Sequence, residues 1–138
     1  MAEDRGPTGG LSPYLTIKGG RCAEAATFYG RAFGAETAFQ AQSQDGPKLM
    51  HCHVRVNGAS LLMSDDFPEW SGGRESPDPG GYTLHLQVDD VDAWFARALG
   101  AGCVETMKLE TQFWGDRYGK VRDPFGVNWS IASTPQAT

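Results

Sequence analysis

The sequence has few cysteines to form disulfides or bind metals, and it has no long apolar segment to cross a membrane. It holds only three cysteines, Cys22, Cys52 and Cys103, and no CxxC pair occurs. Because disulfide frameworks and cysteine metal or redox motifs need more closely spaced cysteines, the sequence predicts reduced thiols and a cytoplasmic protein. No apolar run is long enough to span a bilayer, and the polar, Gly-rich N-terminus has no signal-peptide core. We therefore expect no membrane partner.

An excess of positive charge is also missing. The chain has 12 Lys and Arg against 17 Asp and Glu, which gives a net charge of -5. Since binding to phosphates needs a basic surface, the sequence argues against a nucleic-acid partner. With 138 residues and 40% hydrophobic content, the chain can bury one core but not two large ones.

What the sequence does contain is a turn followed by a strand, present twice. The segment Asp123-Pro124-Phe125-Gly126 predicts a turn, because Pro fixes φ, Asp bonds back to the backbone and Gly accepts a φ that other residues resist. Residues 127–131 then alternate apolar and polar, which is typical of a strand with one buried face. The segment that begins at Gly58 repeats this arrangement.

Both halves of the chain predict the element order β-α-β-β-β. In the first half we predict a strand, a helix and three strands at Tyr14–Ile17, Ala23–Phe33, Glu36–Gln42, Leu49–Val56 and Ser60–Ser64. In the second half we predict strands at Tyr82–Val88, Cys103–Leu109, Tyr118–Arg122 and Val127–Ile131. The helix of this half is predicted to begin at a cap, Asp89 or Asp90, and to end at Leu99.

The predicted fold is therefore α+β, with two βαβββ repeats that form curved mixed sheets carrying helices on their outer faces. Residues 1–12 are predicted to be a flexible tail, and residues 13–135 a single domain. Repeat one covers about 13–65 and repeat two about 81–132. Between them, about 66–80, lies a linker rich in Pro, Gly and Ser that carries Phe67 and Trp70.

The period of two along a strand predicts which side chains share a face of each sheet. The apolar residues are assigned to the face under the helices: Leu15, Ile17, Met50, Cys52, Val54, Val56, Leu61, Met63, Leu84, Leu86, Val88, Val121, Val127, Trp129 and Ile131. The opposite, polar face then holds all three histidines of the chain, and we predict a ligand site lined by Tyr14, His51, His53, His85, Gln87, Asn128 and Ser130. Trp114, in a Gly-flanked aromatic loop, is placed near its mouth. The alternative is a plain solvated sheet face, but the Tyr, Trp, Ser, Thr and Asn content favours a ligand cup.

The repeated plan resembles the vicinal oxygen chelate superfamily of glyoxalases, bleomycin-resistance proteins and extradiol dioxygenases, and more narrowly its PhnB-like branch. The segments that carry the resemblance are Pro13-Tyr14-Leu15, 23–29, Phe33-Gly34-Ala35, Met50-His51, 62–65, 88–91 and 123–129. It implies the two-repeat fold, a homodimer and a cup between the repeats that binds a small molecule.

The resemblance also implies four metal-ligand positions, on the first and fourth strands of each repeat. Counted from the helix and turn motifs, these positions hold Tyr14, Leu62, Thr83 and Ser130. None is an ordinary Zn or Ni ligand, so we expect no cofactor. The alternative is a divalent metal (Zn, Ni, Mn or Fe) held by His51, His53 and His85. Hydrogen bonding to a ligand, or acid–base work by one neutral histidine, is the favoured interpretation.

Two functions follow from these patterns. The first is a protein that binds a small polar molecule in the cup between the repeats without the usual metal site. The alternative is a lyase, isomerase or dioxygenase-type enzyme of the same superfamily that uses a histidine-based divalent metal site. The sequence leaves the ligand itself open.

Overall fold

A computed structural model describes residues 4–135. Its ten main elements are β1 Tyr14–Ile17, α1 Cys22–Phe33, β2 Glu36–Gln42, β3 Leu49–Val56, β4 Ala59–Asp65, β5 Leu84–Gln87, α2 Val91–Ala101, β6 Val104–Thr111, β7 Arg117–Arg122 and β8 Asn128–Ser133. Short 3₁₀ turns lie at Lys18–Gly20 and Pro68–Trp70. The predicted order of elements is confirmed, and β5 is shorter than predicted at both ends.

Each repeat forms one four-stranded mixed sheet. The strand orders are β1-β4-β3-β2 and β5-β8-β7-β6, so the two sheets have the same topology. The pairs β1–β4 and β5–β8 are parallel, and the other pairs are antiparallel. Two compact units result: one runs to Gly30 and continues over Gly34–Pro77, and the other comprises Arg31–Phe33 and the chain from Asp78 onward. The predicted two-repeat α+β fold is therefore confirmed.

Local capping chemistry sets the helix ends. Asp90 caps α2 as predicted, and its carboxylate accepts a hydrogen bond of 3.2 Å from the Ala93 amide. Gly34 ends α1 in a left-handed conformation with φ 67°, which glycine adopts without steric cost. Helix α2 packs against β6, β7 and β8 and buries Val91, Phe95 and Ala98.

Two buried carboxylates hold the turns and helix ends together. Asp123, 4% exposed, accepts from the amides of Phe125 and Val127 at 2.8 and 3.0 Å and from Trp129 Nε1 at 2.9 Å. In the first unit Asp65 accepts from the amides of Cys22 and Leu49 at 2.9 and 2.7 Å. Both carboxylates therefore satisfy buried backbone donors, as the turn interpretation predicts for Asp123.

Burial follows the predicted strand parity with two corrections. Met50 was placed under the helix, but it is 48% exposed, and Leu49 is buried instead. Ala41 pairs with His51 and Gln42 with Leu49, so Met50 is the additional residue of a β-bulge and the alternation is reset there. Leu84 is only half-buried, because it is the first residue of β5. The remaining residues assigned to the helix face are buried.

No helix among residues 4–135 has the length and apolar character needed to cross a membrane. Of the predicted flexible tail, residues 1–3 lie outside the described residues. Residues 4–13 belong to no helix or strand.

Candidate functional site

Tyr14 and His51 meet on the polar face of the first sheet. The Tyr14 hydroxyl lies 3.1 Å from His51 Nδ1, and the two rings are tilted with centroids 6.0 Å apart. His51 Nε2 contacts the carbonyl oxygen of Arg5, which can only accept. A neutral His51 therefore donates from Nε2, and its Nδ1 accepts from the Tyr14 hydroxyl. Partial burial raises the pKa of Tyr14, so this hydroxyl stays protonated as a donor.

His53 lies on the same polar face and has no exposed surface. Its Nε2 is 2.8 Å from Ser60 Oγ and its Nδ1 is 3.0 Å from the carbonyl oxygen of Asp4. Because the carbonyl is only an acceptor, neutral His53 donates from Nδ1 and accepts at Nε2 from the Ser60 hydroxyl. The N-terminal segment therefore contacts His53 through the Asp4 carbonyl oxygen.

The second unit contains a separate cluster around His85. Its Nδ1 lies 2.7 Å from Ser130 Oγ, and its Nε2 lies 2.7 Å from Gln87 Oε1. With the Gln87 amide oxygen as acceptor, neutral His85 carries its proton on Nε2 and accepts from the Ser130 hydroxyl at Nδ1. The Gln87 amide nitrogen donates to Thr134 Oγ1 at 2.8 Å, which fixes the orientation of the amide. Ser130 is only 2% exposed, whereas His85 and Gln87 are exposed, so the cluster has one buried member and an open side.

An aromatic wall borders the second cluster. The Tyr118 ring stacks on His85 with centroids 6.0 Å apart and an interplanar angle of 19°. Trp114 meets Tyr118 edge-on at 5.6 Å and is half-exposed. Trp114 is thus connected to His85 through Tyr118. Tyr118 was not predicted as a site residue, although its position opposite in strand parity to the buried Val121 and its aromatic ring were signals for it.

Asn128 occupies a different place from the other predicted site residues of the second unit. Its Oδ1 accepts a 3.2 Å hydrogen bond from Arg122 Nε, beside the Asp123 turn. The structure therefore gathers His85, Gln87 and Ser130 in one cluster and Tyr14 with His51 in another. Ser60, Tyr118 and Thr134 contact these residues and were not among the predicted site residues.

The side chains at the superfamily's metal positions do not fit a divalent metal. In the parallel strand pairs, Tyr14 lies opposite Leu62 and His85 lies opposite Ser130. Counting from the motifs had given the metal-ligand position on the first strand of repeat two to Thr83. Thr83 precedes β5, and the residue of β5 that lies opposite Ser130 is His85, so His85 occupies that position. The pair in the first unit offers no imidazole and no carboxylate, and the pair in the second unit offers one imidazole. A divalent metal needs three or more such ligands. Within residues 4–135, no three His, Cys, Asp or Glu side chains are arranged to hold a metal ion.

A cavity of about 400 Å³ lies elsewhere in the first unit. It is lined by the β2–β3 turn and by the linker aromatics Phe67 and Trp70, whose rings stack with centroids 4.1 Å apart. Lys48 lies over Phe67, with Nζ 5.1 Å from the ring centroid, and pairs with Glu69 at 3.2 Å. None of the predicted site residues lines this cavity, so it is a separate candidate for ligand binding.

Fold and site together define a class of small α+β proteins built from two βαβββ repeats with polar sheet faces. The family model of the Glyoxalase/Bleomycin resistance protein/Dioxygenase superfamily matches residues 12–131, so the chain belongs to that superfamily. The resemblance drawn from the motifs is therefore confirmed at the level of the superfamily.

Three known proteins illustrate the similarity. Protein Mb0911c of Mycobacterium bovis is 45% identical over 125 residues, covering 88% of this chain and 80% of that protein. The crystal structure of PA1353 from Pseudomonas aeruginosa matches with a TM-score of 0.70 and 27% identity, over 94% of this chain and 100% of the other. The PhnB protein of Bacillus cereus, described as a putative 3-demethylubiquinone-9 3-methyltransferase, matches with a TM-score of 0.68 over 91% of this chain and 100% of the other. At 16% identity, this last match shows the fold alone.

Proposed function

We propose that this protein binds a small polar molecule on the polar faces of its sheets, without the divalent metal of the superfamily's metal-dependent members. The observation that carries the proposal is the cluster of His85, Gln87 and Ser130. Its polar atoms are paired and its serine is buried, yet it borders the half-exposed Trp114. A few oriented polar groups beside aromatic surface are typical of small-molecule sites and not of a solvated sheet face.

The hydrogen-bond directions favour a particular kind of ligand atom. His85 donates from Nε2 to the amide oxygen of Gln87, an exposed side chain whose amide nitrogen donates to Thr134 Oγ1. A ligand oxygen that accepts from Nε2 would replace that amide oxygen and keep the His85 donor paired. Carbonyl, hydroxyl or carboxylate oxygens meet this requirement. The nearby rings of Tyr118 and Trp114 would cover the apolar part of the ligand.

The alternative function is acid–base catalysis by a lyase or isomerase of the same superfamily. It is supported by the 2.7 Å contact between Ser130 Oγ and His85 Nδ1, with Gln87 orienting the ring from the other side. A base held in one tautomer by a second group is the usual geometry of a general base. The dioxygenase-type version with a histidine-held metal has less support, because the donor set does not fit a metal.

A ligand-shift screen tests the proposal. Thermal denaturation of the parent with a library of small hydroxy, oxo and carboxylic acids would give hits, whose affinities are then measured for His85→Ala, His51→Ala and the exposed control Gln44→Ala. We expect at least one histidine variant to lose about tenfold or more in affinity, since one oriented hydrogen bond is worth about 1.4 kcal/mol in a polar site. If both histidine variants bound every hit as tightly as the parent, the site would lie elsewhere. A stoichiometric transition metal in the purified protein would contradict the proposal that the ligand binds without a divalent metal.

We also propose that the chain forms a homodimer. Large apolar side chains are exposed at Val104, Phe113 and Trp114, with exposed fractions of 65, 97 and 50%. Exposed apolar surface of this kind is often covered by association. Sedimentation velocity at micromolar concentration should show a species of twice the chain mass, and a monomer alone at all concentrations would refute the proposal.

A further inference from the structure

The N-terminal segment of residues 4–6 lies across the polar face of the first sheet. The Asp4 carboxylate accepts two hydrogen bonds from the Arg55 guanidinium, at 2.9 Å from Nε and 3.0 Å from Nη2. The carbonyl oxygens of Asp4 and Arg5 accept from His53 and His51. A Cβ built on Gly6 would lie 3.8 Å from Leu62 Cδ2, so the segment continues over β4.

These contacts resemble those of a bound ligand more than those of a structural strand. Residues 4–13 form no helix or strand, and the segment is held by side chains of β3 that reach its carboxylate and carbonyl groups. Arg55 binds the carboxylate through a two-pronged fork, the geometry by which arginine recognises small carboxylates. Two of the side chains that hold the segment, His51 and His53, are among the residues predicted to line the ligand site.

The spacing of the two oxygen groups of Asp4 defines the chemistry of this place. His53 Nδ1 lies 3.0 Å from the Asp4 carbonyl oxygen and 3.4 Å from its carboxylate Oδ1, while Arg55 holds the carboxylate. His53 is wholly buried and presents its Nδ1–H in one direction only. The carbonyl carbon and the carboxylate carbon of an aspartate are separated by two carbons, so the arrangement is that of a four-carbon diacid.

We propose that His53 and Arg55 form a subsite for a small carboxylate that bears a second oxygen acceptor, and that Asp4 fills it as an internal competitor. The inference rests on the proposed function in one respect, that ligands bind on this polar face. A free ligand with the spacing of succinate would place one carboxylate on Arg55 and an oxygen of the other on His53 Nδ1. It would displace residues 4–6, and the apparent dissociation constant would equal the intrinsic one divided by the fraction of molecules in which the segment is undocked.

Calorimetric titration with succinate tests the competition on the full chain, with any purification tag at the C-terminus. Asp4→Ala should bind succinate about tenfold more tightly than the parent, as expected if the segment is docked in about nine molecules of ten. The control Glu105→Ala removes an exposed carboxylate of the same charge from β6 in the second unit and should bind like the parent. Adding Arg55→Lys to Asp4→Ala keeps the positive charge but removes the fork, and should abolish most of the gain.

A second readout follows the segment itself. Trypsin cleaves after Arg5, so the rate of cleavage between Arg5 and Gly6, followed by mass spectrometry, reports how often the segment is undocked. Succinate should accelerate this cleavage in the parent, and Asp4→Ala should be cleaved rapidly without succinate. Equal cleavage rates in the parent and Asp4→Ala would overturn the proposal.

The calorimetric outcomes separate this inference from the proposed function. Equal succinate affinity in the parent and Asp4→Ala, or no binding to either, would overturn the internal competition. If Asp4→Ala bound succinate more tightly than the parent and the added Arg55→Lys did not reduce that affinity, the subsite would be overturned. The higher affinity would then come from the removal of a negative charge alone. Neither result depends on His85 or on the ligand screen, so the proposed function can fail or hold independently.

Discussion

Removal of the Asp123 carboxylate should destabilise the protein more than removal of any exposed carboxylate. Asp123 is buried in the turn between β7 and β8 and accepts three hydrogen bonds, from two backbone amides and the Trp129 indole. In Asp123→Ala these donors lose their acceptor. Two of them, the Val127 amide and the Trp129 Nε1–H, belong to buried residues that water reaches poorly.

The magnitude follows from those two donors. A buried donor left without a partner costs about 1–3 kcal/mol, so two such donors give a loss of about 4 kcal/mol in the free energy of unfolding. Domains of this size are stable by about 5–15 kcal/mol, so the variant should fold with a much lower melting temperature. Asp123→Asn keeps one carbonyl oxygen for the backbone amides and turns an NH₂ group towards the indole, so its loss should be about half as large.

Urea denaturation followed by tryptophan fluorescence measures these losses. The matched control is Asp45→Ala, an exposed carboxylate in a turn, whose free energy of unfolding should stay within about 0.5 kcal/mol of the parent. A loss of less than about 1 kcal/mol for Asp123→Ala would refute the reasoning, because water or a rearranged turn would then satisfy the donors.

Two further predictions concern close packing and thiol chemistry. A Cβ at Gly119 would lie 2.8 Å from Phe95 Cε2 and 3.0 Å from Leu109 Cα, so Gly119→Ala should lower the free energy of unfolding by about 1–3 kcal/mol. Gly100 lies in α2 with open space around its Cβ position, so Gly100→Ala should raise the free energy of unfolding by about 0.5–1 kcal/mol. Thermal denaturation that found Gly119→Ala more stable than Gly100→Ala would contradict both expectations. Burial raises the pKa of Cys103 to about 12, so little thiolate forms at about pH 8. All three cysteines are buried, so a colorimetric disulfide reagent should label native protein slowly and denatured protein at all three. Rapid native labelling would show that the core opens.

The fold could be predicted from the sequence because local chemistry determines its boundaries. The turns at Gly58 and Gly126, the cap at Asp90 and the glycine after α1 each depend on residues within a few positions of one another. The two repeats also confirm each other, since the same order of elements occurs twice. A strand period of two then assigned most side chains to the correct face.

The errors arose where pairing between distant segments decides the outcome. The bulge at Met50 depends on how β2 aligns with β3, and no local signal marks it. The place of His85 opposite Ser130 depends on the register between β5 and β8, so counting from the helix selected Thr83 instead. The hydrogen bond between His53 and the Asp4 carbonyl joins residues 49 positions apart in the sequence, so no local signal predicts it.

Nitrogen-15 NMR of the three imidazoles, recorded while a ligand hit is titrated in, tests the central claim most directly. With only three histidines in the chain, the spectrum resolves His51, His53 and His85 individually and reports which nitrogen carries the proton. We expect Nε2–H tautomers for His51 and His85, an Nδ1–H tautomer for His53, and saturable shifts of the His51 or His85 nitrogens on binding. Saturable binding that leaves all three imidazoles unchanged would contradict the claim and would direct attention to the cavity beside Phe67 and Trp70.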